Sequence, residues 1–97
     1  MGTKMDNQEA RELLAKKLAD YRRLRYADLV AKIGDIDSLE VTGPSGVDYQ
    51  IEIQFTWDGK QDGDVRVMGG IDDGGWRAFA PLCDDFIMSP DGRFVGE

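Results

Sequence analysis

The chain has 97 residues, the length of one ordinary domain and too short for two. Hydrophobic residues make up 41% and charged residues 32%, a globular balance that excludes wholesale disorder. The net charge of −7 argues against a phosphate-backbone binder, which needs a basic surface.

The charge is unevenly spread. Residues 1–34 carry 8 basic and 5 acidic side chains, whereas residues 35–97 carry 4 basic and 14 acidic ones. The first third is therefore mildly basic and the remainder strongly acidic. Such an acidic surface attracts basic partners, and it also keeps a small domain soluble. The lone cysteine, Cys83, cannot close an intrachain disulfide. No apolar run approaches the ~20 residues of a membrane span, and the N-terminus lacks a signal-peptide layout. A thiol-keeping, cytoplasmic setting without membrane association is expected. Met5 offers a second start, so a single domain over residues 5–97 is expected.

Asp6 followed by Glu9 fits a capping box, with Asn7 as a competing cap. Ala10, Leu13, Leu14, Leu18, Tyr21 and Leu24 recur at three- and four-residue spacing, which predicts a helix over 7–24 with one apolar face. A second short helix is predicted over 26–33, closed by Gly34, because glycine takes the left-handed C-cap conformation without penalty. Whether residues 7–33 form one helix or two is open in the sequence.

After Gly34 the period changes to two. Val47, Tyr49, Ile51, Ile53, Phe55 and Trp57 alternate with Asp48, Gln50, Glu52, Gln54 and Thr56, which predicts a strand over 47–57 with one buried and one wet face. Gly43-Pro44-Ser45-Gly46 joins it to a short strand at 38–42. The turn from Asp58-Gly59 to Asp62-Gly63 leads into a strand with Val65, Val67 and Ile71 pointing inward. Gly69-Gly70 in that strand predicts either a bulge or a close backbone approach. Asp72-Asp73-Gly74-Gly75 is a hairpin signal leading to a strand at Trp76–Ala80, and Phe86–Met88 with Phe94-Val95 reads as a last hairpin. The expected fold is α+β: one or two N-terminal helices packed on one face of an antiparallel meander of about four to six strands.

Histidine is absent, which removes the commonest general base and the commonest zinc ligand. Cys83 is followed by Asp84 and Asp85, whose negative charge disfavours a reactive thiolate, so a packed structural cysteine is expected. Asp58–Asp64 resembles a calcium loop only faintly, with Lys60 and Gly69 where oxygen ligands belong. Gly69 to Gly74 lacks the Lys and Ser/Thr of a phosphate loop. The pairs Asp72/Asp73 and Asp84/Asp85 suit turns and strand starts. Lys16, Lys17, Arg22, Arg23 and Arg25 are spread around the first helix, interrupted by Asp20, and read as its solvated face. No catalytic residue, metal site or cofactor is assigned, and the balance leans away from an enzyme.

The leading expectation is a non-enzymatic protein-interaction module of inhibitor-like or immunity-like general character. It would use the outward sheet face, with Asp48, Gln50, Glu52, Gln54, Arg66, Arg77 and Phe79, or pair through an edge strand into a homodimer. The alternative is a small-molecule site or modest enzyme with a pocket between helix and sheet, lined by Tyr21, Tyr26, Tyr49 and Trp57.

Overall fold

The computed structural model describes residues 7–74 and 81–97. Two helices, α1 (Asn7–Arg22) and α2 (Tyr26–Ala31), precede four strands: β1 (Ile36–Thr42), β2 (Asp48–Asp58), β3 (Asp64–Asp72) and β4 (Leu82–Met88). The strands form one antiparallel sheet in the order β1-β2-β3-β4. This is the expected α+β meander. The predicted strand at Trp76–Ala80 lies outside the described residues.

The N-terminal segment is two helices. The chain breaks at Arg25, whose extended backbone (φ −76°, ψ 158°) cannot continue a helix. Its backbone N–H donates to the Asp28 carboxylate at 3.2 Å, which satisfies one of the orphan donors at the start of α2. α1 therefore stops two residues short of the predicted end. α2 also stops two residues early, at Ala31, and Gly34 takes the left-handed conformation (φ 90°) in the turn that follows.

The predicted alternation holds from Asp48 to Phe55 and fades at the end of β2, where Thr56, Trp57 and Asp58 are all half-buried, while Val47 is half-buried just ahead of the strand. Tyr49, Ile51, Ile53 and Phe55 are buried, and Asp48, Gln50, Glu52 and Gln54 are exposed. Across the register Ile51 meets Leu39 and Ile71, and Phe55 meets Val67, so one face of the sheet is apolar from strand to strand. Ala10, Leu14, Leu18 and Tyr21 of α1 close that face.

α1 runs in the same direction as β2. Near its start Glu9 reaches Tyr49, and near its end the Tyr21 ring lies edge-on to Phe55 at 5.3 Å. Twelve helical residues advance about 18 Å and six strand residues about 20 Å, so the two elements stay in step along the interface. The helix packs chiefly over β3 and β4.

Gly69 explains how it comes so close. A Cβ built there would sit 2.6 Å from Leu14 Cδ1 and 3.1 Å from Ile53 Cδ1. The pairing of β3 runs without interruption through Gly69 and Gly70 on both sides, so the glycine pair marks a close approach and not a bulge.

Three polar clusters fasten the layers together. The Glu9 carboxylate accepts from the Ser45 backbone N–H (2.9 Å), the Ser45 hydroxyl (2.6 Å) and the Tyr49 hydroxyl (2.7 Å), which holds the β1–β2 turn against the start of α1. Tyr21 donates to Asp37 at 2.7 Å, and Lys32 reaches the same carboxylate at 3.1 Å. At the C-terminal end Arg22 makes two 2.7 Å bonds to Glu97, with its guanidinium carbon 4.9 Å and 4.7 Å from the Phe86 and Phe94 ring centres. The last hairpin joins the sheet: β4 pairs with β3, and Phe94 bridges back to Met88.

Candidate functional site

The face of the sheet turned away from the helices is strongly acidic. Register and alternation bring Glu40, Asp48, Glu52, Asp58, Asp64, Asp72 and Asp85 to it from all four strands. Arg66 is the base that shares this face among the described strand residues. It bonds Asp58 at 2.9 and 3.2 Å and Asp85 at 2.6 Å, tying β2, β3 and β4 together. These carboxylates, Asp58 first, raise the guanidinium's pKa and hold it charged. Two further acids are engaged by neutral neighbours. Asp48 accepts from Thr42 at 2.6 Å and Glu40 from Gln50 at 2.6 Å. Glu52 has no hydrogen bond or ion pair among the described residues.

Glu52 stands beside a gap that the register creates. The row across the sheet reads Ser38, Glu52, Gly70, Cys83. Because Gly70 has no side chain, Glu52 and Cys83 face each other across two strand spacings, about 10 Å. Along β3 the same gap is flanked by Met68 and Asp72, each about 7 Å from Gly70. The result is an open groove of about 520 Å³, lined also by Gln54, Pro81, Asp84 and Asp85. Its floor is peptide backbone and one wall is a thioether, while its rim is mostly carboxylate. Such a groove suits a group that is flat or slender, cationic at its tip and apolar along its stem.

The residues expected on the outward face divide accordingly. Asp48, Gln50, Glu52 and Gln54 are all exposed there, and Arg66 is half-buried among its carboxylates. Glu52 and Gln54 line the groove, whereas Asp48 and Gln50 lie further along β2. Arg77 and Phe79 fall outside the described residues. Gly70, Met68, Asp72 and Asp85 were not among the expected site residues. The signal for the β3 members was nonetheless present: a turn closing Asp58 onto Asp64 sets Glu52 opposite Gly70 by parity alone.

Cys83 departs from its expected role. It is exposed, because the residue opposite it in β3 is Gly70, which offers nothing to cover it. Its thiol makes a long 3.5 Å contact to the Pro81 carbonyl.

The four aromatics expected to line a helix–sheet pocket are engaged separately. Tyr21 donates to Asp37, Tyr26 donates to the Gly63 carbonyl at 2.7 Å, and Tyr49 donates to Glu9. Trp57 is half-buried near the far end of β2, eight residues and roughly 26 Å along the strand from Tyr49. Each of the four thus has its own surroundings, and Tyr49 and Trp57 stand too far apart along β2 to touch one small ligand together.

No group of three or more metal-binding side chains is assembled among the described residues. No described helix is long and apolar enough to cross a membrane. No protein-family model, curated protein or solved structure matches the chain.

Proposed function

We propose that this domain is a non-enzymatic protein-interaction module that presents its outer sheet face to a basic partner. In this reading the groove over Gly70 receives an arginine or lysine side chain. The observation that supports it most is the combination at one place of a side-chain gap, a Glu52 without a partner among the described residues, and further carboxylates at the rim. A guanidinium entering there meets Glu52 and Asp72 with its charged end and Met68 with its stem. Desolvated anchors of this kind carry most of the affinity in protein interfaces, with arginine among the favoured types. The surrounding acids add long-range attraction, which speeds encounter more than it strengthens the final complex.

The test compares three baits in capture from lysate at low and moderate salt: the wild-type chain, Glu52→Lys and Gly70→Val. Glu52→Lys reverses the central charge, and Gly70→Val fills the groove from a half-buried strand position on the outer face. A saturable interactor kept by the wild type, weakened by salt and lost with both variants is the expected result. Retention of the same interactors by all three baits would refute the assignment of the groove.

A further inference from the structure

The sheet has two edges, β1 and β4, and they are built differently. Part of the β4 edge is occupied by the chain's own C-terminal residues, since Val95 donates to the Ile87 carbonyl at 2.8 Å and Phe94 bridges Met88. β4 also carries Asp84 and Asp85 in its middle. Full-length antiparallel pairing of β4 with a second β4 would set Asp85 against Asp85, and like charges directly opposite are destabilising.

β1 lacks these guards. Among the described residues it pairs with β2 alone. Leu39 and Val41 on its inner side are only half-buried, and Ile36 on its outer side is 57% exposed. An inward-pointing charge on an edge strand ordinarily deters a further strand, and Asp37 holds that position. Here Tyr21 and Lys32 already satisfy its carboxylate at 2.7 and 3.1 Å, so it presents little free charge to a newcomer.

We propose that β1 pairs antiparallel with β1 of a second copy of this chain, centred on Leu39. In this register Leu39 meets its own counterpart, Ser38 faces Glu40, Asp37 faces Val41 and Ile36 faces Thr42. All seven residues of β1 find a partner, and no acid stands opposite an acid. The neighbouring registers are worse. A shift of two positions one way sets Glu40 against Glu40, and two the other way leaves Val41 and Thr42 unpaired. A shift of one turns the inner face of one copy to the outer side of the other.

The two-fold axis then stands perpendicular to the sheet. Both helical layers lie on one side of a continuous eight-stranded sheet, and both acidic faces lie together on the other. A seven-residue seam buries less than the ~1,200 Å² of a standard specific interface, so the dimer is weak and depends on concentration.

Ser38 provides the test, because it is exposed and sits opposite Glu40 twice in the dimer. Sedimentation equilibrium of the full chain would run from about 10 μM to about 1 mM, the span over which a small interface exchanges. The wild type is expected to pass from monomer toward dimer across it. Ser38→Lys adds two cross-strand charge pairs and tightens the dimer roughly tenfold, whereas Ser38→Glu adds two repulsions and weakens it by a similar factor. Thermal melts establish that both variants are folded.

Monomeric wild type and Ser38→Lys at every concentration would overturn the proposal. So would a dimer that Ser38→Lys loosens or leaves unchanged, since that dimer uses another register or another surface. The assay contains no basic partner, so its result is independent of the role assigned to the groove.

Discussion

Gly69→Ala is the sharpest probe of how α1 is seated on the sheet. The new methyl would lie 2.6 Å from Leu14 Cδ1, 3.1 Å from Ile53 Cδ1 and 3.4 Å from Leu18 Cδ2. Leu14 and Ile53 are 1% and 0% exposed, so neither can swing aside into solvent. Overpacking a close-packed core by one carbon costs about 1–3 kcal/mol. Replacing glycine inside a strand returns about 0.5–1 kcal/mol, leaving a net loss of about 1–2 kcal/mol.

Gly70→Ala is the matched control. It is the next residue of the same strand, on the opposite face, where a Cβ meets Pro81 at an ordinary 3.6 Å. Neither glycine has a positive φ, so backbone strain does not separate the two. Gly70→Ala should be neutral or stabilising by up to about 1 kcal/mol.

Urea unfolding followed by tryptophan fluorescence reads both. Leu14→Ala alone should cost about 2–5 kcal/mol, but combined with Gly69→Ala it should cost at least ~1 kcal/mol less than the sum, because the methyl enters the space that Leu14 vacates. Equal stability of the two glycine variants, or simple additivity with Leu14→Ala, would refute this account of the interface.

Two further outcomes follow from the polar clusters. The Ser45 and Tyr49 bonds hold the Glu9 carboxyl below the usual glutamate range. A depressed pKa stabilises the fold above the unfolded value and is lost as pH falls through the folded one. Acid unfolding below about pH 4.5 should therefore lose part of its steepness in Glu9→Gln, as followed by circular dichroism. Arg22→Gln removes the guanidinium that lies against both Phe86 and Phe94 and grips Glu97. Hydrogen exchange at the Val95 amide should accelerate markedly, while amides in the middle of β2 keep their protection. Uniform acceleration across the sheet would mean that Arg22 stabilises the whole domain and not the C-terminal hairpin.

The sheet was legible because β2 alternates without a fault for eleven residues, and one strand of known facing orients its neighbours. The helix ends were less so. Leu24 continues the apolar spacing of α1, yet Arg25 adopts extended backbone to begin the next cap. Gly69 and Gly70 were ambiguous because a bulge and a close approach both demand glycine, and only the uninterrupted pairing separates them.

Glu9 read as half of a capping box. Its partner Asp6 lies outside the described residues, and its bonds to Ser45 and Tyr49 span 36 and 40 residues, a distance no local pattern reports. Arg22 read as one of several solvated cations. Its role depends on two aromatic faces more than sixty residues away. The groove needed two pieces of information. The β2–β3 half followed from turn parity, but Cys83 and Asp85 enter through a connection whose length alone does not set their register.

The layering of charge gives the molecule a direction before it touches anything. A helical layer with a small excess of lysine and arginine backs a sheet whose far side is mostly carboxylate, so the two faces of the domain differ in charge. In the field of a basic surface such a body experiences a torque as well as a pull, and turns its carboxylate side forward while still diffusing. The effect extends about one screening length, ~8 Å at physiological ionic strength, and shrinks as salt rises. Facing, and not only affinity, is thus written into the order of the elements: helices first, then the strands.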